Sequence, residues 1–352
     1  MIELAQELGE APHSSGPVPD RLEASAEASL ALAEWASNDH AGQLTVDSLA
    51  SELSRIAQQF VHAPPRPLVA ELDALRDTIR RALHTGPPPS RARELLVLAG
   101  VTIELLAQIT SNLGNPVAAM QHARAAESLA ARAGHNGLRA WTIGTQALIT
   151  EWNTNPGSAI EIARRASQCS PTGEHKIRLA ALEARCAARL GRRDEAANAT
   201  TEALATAETA SDSVDDVGAF GGSLRFPTTK LAYYLGTTYR LLGEADNAEW
   251  WSQKAVDGYT RGREQDRSYG DEALARADIA IVRITGRAID GAREILAPVF
   301  ALSPAQHIHP VAEGLRAVDN SLRATRDANA PIARTLSQEI DVFTSTQFPP
   351  RR

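Results

Sequence analysis

The sequence predicts an all-α protein, a superhelical stack of antiparallel helical hairpins forming an α-solenoid. Three observations carry that expectation. Alanine, the strongest helix former, supplies roughly sixty of the 352 residues, while aromatics make up only 5%. Strand signals are absent almost throughout, and Asn136-Gly137 lies between two alanine-rich helical patterns rather than between alternating runs. From Arg91 onward a fixed spacing of glycine and small residues keeps returning, which marks a repeat.

Residues 1–20 read as a flexible N-terminal tether, because Gly9 to Asp20 hold three prolines and two glycines. Residues 21–85 read as an N-terminal helical cap of three helices. Arg21 to Ser37 carries Leu22, Leu30, Ala33 and Trp35. Val46 to His62 sets Leu49, Leu53, Ile56 and Phe60 at three- and four-residue steps, with Thr45 as N-cap. Leu68 to Leu83 repeats the pattern with Leu72, Leu75 and Ile79. Pro64-Pro65-Arg66-Pro67 and Gly86-Pro87-Pro88-Pro89-Ser90 interrupt the helices, since proline lacks the N–H and restricts its predecessor.

The repeat array is expected over 90–345. A glycine ends one helix, a small residue follows five positions later, and another seven beyond that. Gly114, Ala119 and Ala126 obey this, as do Gly191, Ala196 and Ala203, and Gly243, Ala248 and Ala255. Thr154, Ala159 and Ala166 fit with threonine in the glycine slot, and Gly286, Gly291 and Pro298 form a degraded copy. Seven residues before each turn a further small residue recurs at Ala107, Ala147, Ala184 and Gly236, failing at Ile279. A glycine past a helix end takes the left-handed conformation that stops it. Small residues seven apart share one face of the next helix, where two helices approach closely.

This spacing resembles the tetratricopeptide repeat, a helical hairpin of ~34 residues that stacks into a right-handed superhelix. The array is irregular: Ala119, Ala159, Ala196 and Ala248 are separated by forty, thirty-seven and fifty-two residues. The longest insertion, 211–227, contains Asp212, Asp215, Asp216, Gly218, Gly221 and Gly222. It reads either as a lid over the groove or as a disordered spacer.

In such a stack the first helix of each pair lines the concave face. If the tetratricopeptide register holds, the groove-facing positions lie thirteen, ten, six and three residues before each turn. They are Glu104 and Gln108, then Trp141 and Glu151, then Arg178 and Arg185, then Lys230, Tyr233 and Arg240, and finally Arg276 and Arg283. Six cations and an aromatic from the last three pairs would suit carboxylate or phosphate recognition. The other reading makes them a wet face, or arginines paired with Glu183, Asp271 and Glu272. Trp141, Trp152, Tyr233, Tyr234 and Tyr269 belong either to this site or to the core, with Tyr234 and Trp152 assigned to the core.

Charge and motif content exclude several classes. Lys+Arg 36 against Asp+Glu 43 gives a net charge of −7, so no global field favours nucleic acid. No apolar run reaches the ~20 residues of a membrane span, and the Met1-Ile2-Glu3-Leu4 start lacks the charge of a signal peptide. A cytoplasmic location is expected. Cys169 and Cys186 make neither a disulfide framework nor a zinc site. Gly218 to Gly222 has no preceding strand and no Gly-Lys-Ser/Thr after it, and no Gly-x-Ser-x-Gly or His-Glu-x-x-His occurs. His307 and His309 lack a third ligand. Neither catalysis, a metal nor a cofactor is expected.

Five segments carry a family resemblance. They are Leu72-Asp73-Ala74-Leu75-Arg76-Asp77, Arg93-Glu94-Leu95-Leu96-Val97-Leu98-Ala99-Gly100 and Gly134-His135-Asn136-Gly137-Leu138-Arg139-Ala140-Trp141. Phe226-Pro227-Thr228-Thr229-Lys230-Leu231-Ala232-Tyr233-Tyr234 and Arg267-Ser268-Tyr269-Gly270-Asp271-Glu272-Ala273-Leu274-Ala275-Arg276 complete the set. Spread from about 25 to 320, they make the chain similar to the C-terminal tetratricopeptide-like sensor region of actinobacterial XRE-type (helix-turn-helix) transcriptional regulators. No four-helix DNA-binding module precedes residue 21. The resemblance therefore implies the sensor half, either cut from a longer regulator or acting through a protein partner, with no direct nucleic-acid contact from this chain alone. The expected function is a non-enzymatic regulatory protein in transcriptional or signalling control. Its repeat groove would bind a peptide, a small molecule or a protein partner. A structural adaptor or homodimerising scaffold is the alternative, and a biosynthetic enzyme the third reading.

Overall fold

The computed structural model describes residues 41–345 apart from 154, 170, 210–215 and 264–266, together with Ala26 and Ser29, and side chains from Thr45 onward in the first helix. The expected tether and most of the helix expected over 21–37 lie outside these residues. Two compact units divide between Ser48 and Leu49. The first includes Ala26 and Ser29, both helical and exposed. The second, from Leu49 onward, carries the candidate site. Its described residues contain helices and no strand.

In chain order the helices are α1 (Ala41–Gln59), α2 (Pro65–His84), α3 (Pro89–Asn112), α4 (Pro116–Arg132), α5 (Asn136–Trp152), α6 (Pro156–Ala166) and α7 (Gly173–Arg189). They continue with α8 (Arg193–Thr209), α9 (Thr228–Leu241), α10 (Ala245–Arg261), α11 (Tyr269–Thr285), α12 (Ile289–Phe300), α13 (His309–Arg323) and α14 (Pro331–Ser345). Proline opens α2, α3, α4 and α6, where its missing N–H would have no helical partner in any case. Thr45 does not cap α1, which begins four residues earlier.

From α3 as far as α12 each helix packs against the next, α12 then packs against α14 and α13 against α14, and the odd-numbered helices also touch one another in order, forming an inner layer backed by the even-numbered ones. The last inner helix, α13, also touches α3. The compact unit that begins at Leu49 includes α2, with no division at the proline-rich 85–90 segment. Leu68, Leu72 and Ile79 of α2 are buried, and α2 packs against α3. Helix α3 is 24 residues long, with a window of mean hydropathy 1.5, so one helix does reach the length and apolar character for crossing a membrane. The apolar side chains are used internally: Leu98, Val101, Leu105, Leu106 and Ile109 are buried.

The turns explain the repeat. Gly114, Gly191 and Gly243 all have positive φ (80°, 69° and 75°). At each, the glycine N–H and the next residue's N–H reach back to the last carbonyls, as in Gly114 to Ser111 (2.9 Å) and Asn115 to Thr110 (3.1 Å). Asn155 reaches back to Thr150 in the same way, while Thr154 lies outside the described residues. The paired alanines that follow, Ala119/Ala126, Ala159/Ala166, Ala196/Ala203 and Ala248/Ala255, are all fully buried.

The degraded copy is a correction. Gly286 has φ −78°, and the left-handed residue is Arg287 at φ 66°. Its N–H bonds to Ile284 O, and Ala288 N–H to Arg283 O. The whole copy therefore runs one residue later: Arg287, Ala292 and Val299, with Ala280 seven before the turn. Ala280, Ala292 and Val299 are buried, whereas Pro298 is exposed.

Candidate functional site

The inner ends of α3, α5, α7, α9 and α11 converge on a cleft with a cavity volume of about 110 Å³. Gln108, Ser111 and Asn112 come from α3, and Thr145, Leu148, Ile149 and Trp152 from α5. Arg185 comes from α7, Lys230, Tyr233 and Tyr234 from α9, and Tyr269, Asp271 and Leu274 from α11. Phe60 and Val61 beyond α1, Ser223 of the 216–227 strap, and Ile308 and Pro310 at the start of α13 close the remaining sides. Tyr269 is held there by its N–H, which donates to Val61 O at 3.4 Å. A second depression, with a cavity volume of about 450 Å³, shares Trp152, Tyr233 and Leu274 and adds Glu151, Arg240 and Asp278.

The strap is neither a free spacer nor an open lid. After residues 210–215, which lie outside the described set, it makes two 3₁₀ turns, Gly218–Phe220 and Gly222–Leu224. A Cβ at Gly222 (φ +53°) would lie 1.7 Å from Ala57 O, so backbone rests on backbone and only glycine fits. Arg225 makes a two-armed contact to Glu174 (2.7 and 3.0 Å), whose other oxygen accepts from Phe226 N–H at 2.6 Å. Leu224 and Phe226 are buried, Phe226 meeting the Tyr234 ring edge-on at 5.1 Å. This packing carries Ser223 into the cleft wall, its hydroxyl buried and without a protein partner.

The expected row of free cations is not present, because every one of the six has an acceptor inside the fold. Arg185 donates to Glu151 through Nη2 (2.5 Å) and Nε (2.9 Å), and its guanidinium lies 3.9 Å from the Tyr234 ring centroid. Arg189 adds a third bond to Glu151 at 2.8 Å. Burial pushes the Glu151 carboxyl up, but Arg185 and Arg189 together more than offset it and hold the group below the usual carboxylate range. Arg178 donates to Trp141 O and Thr145 Oγ1, both at 2.8 Å, and stacks on the Trp141 ring at 4.1 Å. Lys230 pairs with Asp271 at 3.3 Å, and Arg240 with Asp278.

Arg276 and Arg283 leave the groove altogether. Arg276 pairs with Glu272 (2.6 Å) and reaches Ile295 O, while Arg283 pairs with Glu249 (2.9 Å) and Gly291 O. Both are turned toward the outer helices. The cause is the one-residue slip at Arg287, which rotates the expected face of α11 by about 100°. Counting from Arg287 instead gives Leu274, Ala277 and Ile281, and these do line the second depression.

Of the eleven expected residues, Gln108, Arg185, Lys230 and Tyr233 line the first cleft, and Glu151, Tyr233 and Arg240 the second. Glu104, Trp141 and Arg178 are sealed a layer deeper. Glu104 accepts from Thr145 and from Gln108 Nε2 (3.1 Å), its Oε2 is buried without a partner, and burial raises its pKa to about 7. Tyr234 is buried yet walls the cleft, and Trp152, assigned to the core, is half-buried and faces both depressions. Tyr269, open between site and core in the sequence, lines the cleft, whereas Phe60, Val61, Ser223 and Ile308 were missed because no repeat register points to them.

Among the described residues no three His, Cys, Asp or Glu side chains cluster as metal ligands. His307 stacks on Phe343 at 3.7 Å and takes up Leu302 O at 3.3 Å. Cys169 and Cys186 are buried free thiols, both pushed above the ordinary thiol range by burial. No family model and no curated protein matches the chain.

Proposed function

We propose that this chain is a non-enzymatic regulatory protein, in transcriptional or signalling control, whose tetratricopeptide-like array binds its ligand in the inner cleft. The supporting observation is the cleft itself: five aromatic rings and a few polar side chains converge around a cavity of about 110 Å³, an aromatic lining with few polar groups as small-molecule sites have. The ligand is a small molecule or a short peptide segment; a cleft closed by Phe60, Val61 and Ile308 does not suit a long extended chain. The resemblance to XRE-type sensor regions supports the same reading, with a partner protein or an attached module carrying the output.

The test is native mass spectrometry of the purified chain beside Leu148→Trp, which places an indole in the cleft. A copurified small molecule retained by the wild type and lost in the variant supports the proposal. A bound mass present equally in both overturns it. An adaptor reading draws on Trp250, which is 58% exposed on α10 beside Trp251. Light scattering that shows a dimer abolished by Trp250→Ala would favour it.

A further inference from the structure

The cleft's chemistry narrows the ligand, an inference that rests on the binding reading above. Its described charged liners are Arg185, Lys230 and Asp271. Arg185 is neutralised from behind by Glu151 through two hydrogen bonds, and Lys230 by Asp271 within the cleft. The two cations and two carboxylates cancel. An anionic ligand would have to break one of these pairs, leaving a carboxylate desolvated and unpaired, and a cationic ligand would strand a lysine or arginine in the same way.

The walls present flat apolar surface. Trp152, Tyr233 and Tyr269 come from three different inner helices, and Phe60 closes the side beyond α1. Rings on several sides favour a ring between them, by offset or edge contacts. Among the residues that line the cleft, Ser223 is 5% exposed and its buried hydroxyl has no protein partner. A buried hydroxyl left unpaired is unfavourable, and a ligand oxygen or N–H placed against it removes that cost. The strap holds this residue in place from both sides, through Gly222 on Ala57 and Arg225 on Glu174.

We infer that the cleft selects an uncharged, ring-containing small molecule bearing a hydrogen-bonding group read by Ser223, and rejects carboxylates, phosphates and amines of the same shape.

Isothermal titration of the full chain with 2-naphthol, 2-naphthoate and 2-naphthylmethylammonium separates charge from shape. The expected result is binding of the alcohol, with both ions at least tenfold weaker. Leu148→Trp abolishes the alcohol's binding, and Ser223→Ala weakens it about fivefold with an unchanged circular dichroism spectrum. Either ion binding as tightly as the alcohol overturns the inference while leaving the cleft reading standing, since the probe still occupies the site. Binding unaffected by Leu148→Trp overturns it as well, because the site is then elsewhere. No binding by any of the three also overturns it, and the cleft reading is then decided separately by the mass-spectrometric comparison.

Discussion

Arg185 on one inner helix clasps Glu151 on the preceding one through two parallel hydrogen bonds, with side chains 1% and 0% exposed. Such a pair is a poor source of stability in itself, but removing one member leaves the other charged in a dry interior. Glu151→Ala is therefore expected to lower the unfolding free energy by about 3–5 kcal/mol. The double replacement Glu151→Leu with Arg185→Met is expected to recover most of that. Urea unfolding of the three chains measures both quantities, and equal losses in single and double variants would contradict the assignment.

Glu104 gives stability a pH dependence of unusual sign for a carboxylate. Its folded pKa, about 7, lies above the ordinary value of 4.5, so between these limits the folded state binds the proton more tightly than the unfolded one. Its contribution is fully present below about pH 4.5 and is lost as pH rises through 7. Glu104→Gln, which stays neutral, is expected to raise the melting temperature at pH 8 and change it little at pH 5. Scanning calorimetry at the two values tests this, and a variant equally shifted at both would exclude the titration.

Arg287 sits at φ 66°, where a side chain meets its own carbonyl. Arg287→Gly is expected to stabilise the chain by about 1 kcal/mol, and Gly243→Ala to destabilise it by a similar amount. Thermal unfolding of the pair, measured side by side, should show shifts of opposite direction.

Gly222 lies against the Ala57 carbonyl with no room for a methyl group. Gly222→Ala is expected to lift the strap, exposing Leu224 and Phe226. Hydrogen exchange across 216–227 should accelerate at least tenfold, with the α3–α4 hairpin unaffected.

The sequence made the hairpins legible because their rules are local. A left-handed stop, the backward hydrogen bonds around it and an alanine five residues on all fall within one short stretch, as at Gly114 and Ala119. The same locality misled at the degraded copy, where Gly286 and Gly291 matched the pattern and Arg287 did not look like a stop. The α13–α14 hairpin escaped notice because its turn, Thr325 to Ala330, contains no glycine.

The site was legible only in part. Gln108, Arg185, Lys230 and Tyr233 follow from the register of a single helix. Their partners do not: Glu151 is 34 residues from Arg185, and Thr145 is 41 from Glu104. Whether an arginine is free or clasped depends on which residue faces it from the next hairpin, and composition carries no trace of that. Val61 and Tyr269 meet across still greater distance, so the closing wall of the cleft appears only once the chain is folded.

An open helical stack can gain or lose a unit at either end with modest consequence. Here α13 also touches α3. A hairpin duplicated or deleted between them would therefore have to be absorbed at that junction as well as at its own two neighbours.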